Sequence, residues 1–225
     1  MIKISPSTNP EKEENLVNYV KECEQAGADF MHCDVMDGNF VTATCLGLEK
    51  LIEVSQNSSI ALDVHLMVSD PLVQIERYLN CKPTILTIHY ESFNNKDNLF
   101  FALEKIHKQG ILAGISIKPN TDWRVLKPYL PFCDLVLIMS VEPGKSGQKF
   151  IEATHEKVNE LKNYIISENL NVKIEVDGGV NTDNFMQLYL NGTDIIVMGN
   201  AVYKAENRAE FIQKIKEISK DKNKN

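Results

Sequence analysis

Short apolar runs rich in β-branched residues alternate, from one end of the chain to the other, with longer stretches in which apolar residues recur at helical spacing. The short runs are IKISP near 2–6, ADFMHCD at 28–34, IALDVHLM at 60–67, TILTIHY at 84–90, ILAGISI at 111–117, DLVLIMS at 134–140, VKIEVD at 172–177 and DIIVMG at 194–199. Between them lie amphipathic stretches such as EENLVNYVKECEQAG, where Leu16, Val20 and Cys23 recur at helical spacing and Gly27 suits a C-cap. Strand and helix in regular succession predict repeated βα units on a parallel sheet. Eight such pairs favour the closed (β/α)8 TIM barrel of the α/β class over an open doubly wound sheet, which usually has fewer strands and a topological switch point. No linker rich in Pro, Gly or Ser divides the chain, so residues 1–218 are read as a single barrel domain. The charged end KDKNKN offers no apolar anchor, and residues 219–225 are expected to be a disordered tail.

Composition narrows the partners. A chain of 225 residues is long enough for one such barrel. Its 43% apolar and 24% charged residues are those of a globular protein that folds by burying a core. A net charge of −7 speaks against a nucleic-acid surface but leaves room for a local basic pocket and a small anionic substrate. The five cysteines are odd in number, widely spread and free of any CxxC pair, and they read as reduced thiols of a cytoplasmic protein. MIKISPSTNP has no apolar targeting core, and no run reaches the roughly 18 apolar residues that span a bilayer, so no membrane partner is expected.

The polar residues at the carboxyl ends of the strands suggest the chemistry, because barrel enzymes assemble their sites there. The second run ends in HCDVMDG, so His32 and Asp34, two residues apart on an extended segment, point to one side and can share an ion. The third brings His65 to matching height, and the seventh delivers Asp177 in EVDGG. A lone His or Asp at a strand end is more often a hydrogen-bonded structural residue. Four in register at one mouth are harder to explain so, since each uncompensated buried polar group costs roughly 1–3 kcal/mol. Two imidazoles and two carboxylates suit Zn²⁺, Fe²⁺, Mn²⁺ or Co²⁺ better than Ca²⁺ or Mg²⁺. Asp63, two residues deeper than His65, reads as interior packing or as a partner behind a ligand. His89 is a weaker candidate, and His107 and His155, in helical stretches, are expected at the surface.

A second group suits a phosphate. The turns after the last three predicted strands are PGKSGQ, DGGVNT and GNAV, in which glycines let backbone N–H groups approach an anion; Gly178, Gly179, Gly199 and Asn200 are the candidates. Met36, Met67 and Met139 lie at the same end and are either an apolar lining for a planar intermediate or ordinary gap-filling core residues.

HCDVMDGNFV, DVHLMVSDP, MSVEPGKSGQKF, EVDGGV and VMGNAV together resemble the ribulose-phosphate 3-epimerase family from about Pro6 to about Tyr203. The resemblance implies a βα-barrel that interconverts D-ribulose 5-phosphate and D-xylulose 5-phosphate in the pentose phosphate pathway. It implies a divalent metal on His32, Asp34, His65 and Asp177, with Asp34 as proton acceptor and Asp177 as proton donor. It also implies substrate contacts at Ser7 and His65, phosphate contacts at Gly144, Lys145, Ser146, Gly147, Gly178, Gly179, Gly199 and Asn200, and a homo-oligomer. The chemistry is coherent without the family: inverting a carbon beside a ketone needs two acid/base groups on opposite faces, and a metal stabilises the enediolate as charge develops.

The chain departs from the family pattern at the substrate mouth. PSTNPEK, with Asn9 and Pro10, stands for PSILSAD; FVTA stands for FVPN; PGKSGQ stands for PGFGGQ; and GN stands for GS. Lys145 thus replaces an aromatic lid residue and is either a solvated loop lysine or a cation that closes on the phosphate. Two other readings remain open, a hexulose-phosphate 3-epimerase acting on a sugar such as allulose 6-phosphate and a non-catalytic sugar-phosphate binding barrel. Retention of both aspartates and both histidines argues against the second.

Overall fold

All eight predicted runs are strands in the computed structural model, which describes residues 1–145 and 147–221. They are β1 (Lys3–Pro6), β2 (Phe30–Asp37), β4 (Ala61–Met67), β5 (Ile85–His89), β6 (Leu112–Ile117), β7 (Leu135–Met139), β8 (Lys173–Asp177) and β9 (Ile195–Met198). A two-residue strand that the sequence did not suggest, β3 (Thr44–Cys45), runs antiparallel to the end of β2. The helices are α1 (Leu16–Gln25), α2 (Leu48–Asn57), α3 (Pro71–Tyr78), α4 (Asp97–His107), α5 (Thr154–Ser167), α6 (Phe185–Leu190), α7 (Asn200–Tyr203) and α8 (Arg208–Asp221). Gly27 stands just past α1 with φ of +83°, as expected of a residue that ends a helix in the left-handed region.

The expectation of a helix after every strand fails between β6 and β7. That connection holds only short 3-10 turns, Trp123–Leu126 and Leu130–Phe132. Pro119, Pro128 and Pro131 explain the failure, because each removes an amide donor and clashes with a preceding helical turn. At the other end, α8 runs past residue 218 into the segment expected as a tail, and Ser219 is buried; residues 222–225 lie outside the described residues.

The strands form one curled sheet of order β1-β9-β8-β7-β6-β5-β4-β2-β3, parallel except for β2 with β3. β1 and β2 meet through a parallel bridge between Ser7 and His32, with Asp29 N donating to Ile4 O at 2.9 Å and Thr8 N to His32 O at 2.9 Å. Alternation along the strands separates two environments. Residues such as Met31, Cys33, Val64, Leu66, Ile174 and Val176 face the helices and join the main hydrophobic core. The concave face is mixed: Leu135, Leu137, Met139 and Ile195 cluster there, beside the buried polar residues Ser5, His32, Asp63, Thr87, Ser116 and Glu175. Among the described residues no helix is long and apolar enough to cross a membrane.

Candidate active site

The polar side of the concave face ends at a cavity of about 500 Å³ over the carboxyl ends of the strands. Asp34 of β2 and His65 of β4 are register partners, with His32 beside Asp63 one step deeper. Asp177 ends β8 level with Met139 of β7. His32, Asp34, His65 and Asp177 each offer one ligand atom, and these atoms all lie within 4.8 Å of one another.

Asp34 is held from several sides. Its Oδ2 accepts from Ser7 Oγ at 3.2 Å and from Asn9 Nδ2 at 3.1 Å, while Oδ1 lies 3.2 Å from His65 Nδ1 and 3.3 Å from His32 Nε2. Burial works against its charge, but His32 and His65 outweigh burial and hold the carboxyl far below the ordinary aspartate range. Asp177 goes the other way: burial, then the charge on Asp34, pushes it up to about 7. Burial also disfavours charge on both histidines. At His32 the carboxylates of Asp63 and Asp34 prevail and raise it well above the usual value; His65, with His32 nearby, is lowered.

These side chains suit a cation. His32 Nδ1 is committed to Asp63 Oδ2 at 2.6 Å, which leaves Nε2 buried and directed at the ligand cluster, 3.3 Å from Asp34 Oδ1 but in no well-formed hydrogen bond. A set of two imidazoles and two carboxylates around such a buried nitrogen fits a divalent transition ion, and Asp63 has the expected place of a carboxylate behind a metal-binding histidine.

Most of the other predicted residues gather around the same cavity. Ser7, Met36, Met67, Met139, Gly144, Lys145, Gly147, Gly178, Gly179, Gly199 and Asn200 line it, as do Asn9 and Pro10. Ser146 lies outside the described residues. Gly178 and Gly179 have φ of +116° and +66°, and a Cβ on Gly179 would meet the Phe150 amide nitrogen at 2.7 Å, so backbone is exposed there by necessity. His65 belongs to the ligand cluster, with its ring fully buried between Asp34 and His89 and set behind the residues that line the cavity. His107 is at the surface, paired with Asp134 at 2.7 Å, whereas His155 is half-buried with its ring 5.0 Å from that of Phe150.

Several residues escaped the sequence reading. Asn9 was counted only as a departure, yet it hydrogen-bonds Asp34. Ser140 donates from its amide at 2.7 Å and from Oγ at 2.8 Å to the carbonyl of Asp177, and so fixes the backbone that carries this carboxyl. Asp37 accepts from Asn39 N, Phe40 N, Ser69 N and Ser69 Oγ, joining the loops after β2 and β4. Its position in MDG was the available signal.

Comparison with known proteins agrees with this geometry. The profile of the Ribulose-phosphate 3 epimerase family matches residues 3–203. The ribulose-phosphate 3-epimerase of Helicobacter pylori is 36% identical over 218 residues, covering 96% of this chain and 98% of that one. Its counterpart from Bacillus subtilis is 35% identical over 217 residues, covering 96% and 99%. Among solved structures, a thiamine phosphate pyrophosphorylase from Pyrococcus furiosus superimposes with a TM-score of 0.65 at 16% identity, covering 98% of this chain and 96% of that one. A 3-hexulose-6-phosphate synthase gives 0.66 at 13% identity, covering 94% and 97%; likeness at this level concerns the fold alone.

Proposed function

This chain belongs to the ribulose-phosphate 3-epimerase family, and we propose that it interconverts D-ribulose 5-phosphate and D-xylulose 5-phosphate, an isomerisation of the pentose phosphate pathway. The observation that carries the reading is the pair Asp34 and Asp177, two carboxyls at one cavity whose surroundings drive their proton affinities apart. Such a split is how one site supplies both a base and an acid near neutral pH.

In this reading Asp34, held ionised by the histidines, takes the proton from C3 of the ketose, and Asp177, able to carry a proton near pH 7, returns one to the opposite face. Ser7 and Asn9 keep Asp34 aimed, and Ser140 keeps Asp177 in place. His32, Asp34, His65 and Asp177 would hold a divalent Zn²⁺, Fe²⁺, Mn²⁺ or Co²⁺, which when bound supplies electrophilic stabilisation of negative charge on the sugar oxygens. Met36, Met67 and Met139 give the carbon skeleton an apolar bed. The phosphate lies against the backbone of Gly144, Gly147, Gly178, Gly179, Gly199 and Asn200, with Lys145 on the same lining.

We read the sheet as a closed eight-stranded barrel in one domain, with the β1–β2 bridge as its seam. We also take the enzyme to be cytoplasmic, in keeping with its free cysteines, and a homo-oligomer, in keeping with its family.

The deciding experiment is a coupled assay of metal-reconstituted protein on ribulose 5-phosphate and on allulose 6-phosphate, run in deuterium oxide. Faster turnover of the pentulose, with solvent deuterium at C3 of the product, is expected. Preference for the hexulose overturns the substrate, and product free of solvent deuterium overturns the two-base mechanism.

A further inference from the structure

His89 on β5 takes no part in the four-ligand set, yet its ring is fully buried and both of its nitrogens are engaged. Nε2 stands 3.0 Å from His65 Nε2, and Nδ1 stands 3.0 Å from Glu91 Oε2. The other oxygen of Glu91 accepts from Lys118 N at 2.8 Å and from Thr121 Oγ1 at 2.5 Å. Phe40 packs against His89 with ring centroids 4.8 Å apart and planes tilted by 43°, and the Lys118 ammonium sits 4.2 Å from the Phe40 centroid. A carboxylate, two imidazoles and the ligand cluster therefore form one continuous chain.

We propose that His89 and Glu91 are positioning residues that set the tautomer of His65, committing its Nε2–H to His89 and leaving the Nδ1 lone pair for the metal. The inference rests on the metal site proposed above. Between two imidazole nitrogens at hydrogen-bond distance one donates and the other accepts, so the chain has a direction. Glu91 sets it. A carboxylate already gathering an amide and a hydroxyl only accepts, which puts the proton of His89 on Nδ1. A neutral His89 then offers a lone pair at Nε2, His65 must donate from its own Nε2, and a neutral His65 is bare at Nδ1.

That nitrogen lies 3.2 Å from Asp34 Oδ1, among the ligand atoms, and a proton shared with Asp34 there is the one a cation displaces. In the reverse direction, His89 would donate to His65, whose proton would then sit on Nδ1 and close that ligand position. His32 achieves the same end directly, with Asp63 against its Nδ1. His65 reaches its carboxylate through a second ring. The partner that fixes the orientation and tautomer of a ligating histidine typically alters metal affinity about 10- to 100-fold when removed.

The test is twofold. Long-range ¹H–¹⁵N correlation spectra of the metal-free protein at neutral pH should show a proton on His65 Nε2 and His89 as the Nδ1–H tautomer. A His65 without a proton on Nε2, or a proton on His89 Nε2, overturns the proposal. Co²⁺ titration, followed by the visible absorption of the bound ion, supplies the second arm. Glu91→Gln keeps the shape but can turn an amide donor toward His89, so it should weaken Co²⁺ binding about tenfold, and His89→Leu about 10- to 100-fold. His89→Gln can still accept from His65 and donate to Glu91, and should stay close to the parent. Parent-like Co²⁺ affinity in Glu91→Gln or His89→Leu with an intact fold overturns the proposal; if His89→Leu does not fold, Glu91→Gln and the spectra still decide. Neither arm uses a sugar, so failure of the epimerase reading shows only in the substrate assay, and failure of the relay shows only here.

Discussion

At the scale of single residues, the two aspartates differ by environment alone. Asp34→Asn and Asp177→Asn should each preserve the circular dichroism spectrum while lowering kcat at least about 10²-fold, the low end for losing positioned acid/base catalysis. A smaller loss in either would remove that carboxyl from proton transfer. Lys145 stands at the cavity rim with its side chain exposed, and its carbonyl accepts from Gln148 Nε2 at 2.8 Å. If the ammonium closes on the phosphate, Lys145→Ala should raise KM about tenfold at low ionic strength, with a smaller penalty in high salt. Steady-state kinetics at two salt concentrations decide, and an unchanged KM assigns the phosphate to the glycine turns. His32, Asp34 and Asp177 were legible because strand alternation fixes which residues share a face. Asn9 and Ser140 were not, because their partners lie 25 and 37 residues away and a polar residue in a turn carries no mark of what it will touch.

Among elements, the loops at the mouth are tied by side chains rather than by sheet ladders. Asp37 is the tie between the loops after β2 and β4; burial opposes its charge slightly, but amide and hydroxyl donors from Ser69, Phe40 and Asn39 lower it to about 2. The sign follows: a carboxyl with a depressed folded value stabilises fully above its unfolded value near 4, and that stability fades as pH falls toward 2. Asp37→Asn should therefore lower Tm at pH 7, and the gap to the parent should narrow between about pH 4 and pH 2. Thermal melts across that range check it, and a gap independent of pH would mean that the amide costs stability through shape alone. Strands were easier to read than their connections, because short β-branched runs bounded by turns have few alternatives. The β6–β7 connection was misread: Trp123, Val125 and Leu126 are apolar at spacings a helix could use, and the three prolines around them carried the stronger signal.

For the whole molecule, an ion that binds the folded site and not the open chain should raise Tm by mass action. Chelation should abolish turnover and lower Tm, and Mn²⁺, Co²⁺, Fe²⁺ or Zn²⁺ should restore both; full activity after verified metal removal would exclude the ion from the reaction. The succession of eight strands was visible in the sequence, but the polar interior was not, because Ser5, Thr87, Ser116 and Glu175 look like isolated polar residues until the sheet curls around them. The pairing of β1 with β9 sets a condition on how the chain can be made. Lys3 lies beside Ile195, so β1 leaves a ribosome 192 positions ahead of its ladder partner. At roughly 5–20 residues per second, that edge waits about 10–40 s for its neighbour. α8, which follows β9, then anchors the unit of β1 and α1, with Lys216 Nζ 2.9 Å from Asp29 Oδ2. Nascent chains stalled before β9 should therefore be readily cut by protease, and resistance should rise steeply once α8 has cleared the exit tunnel.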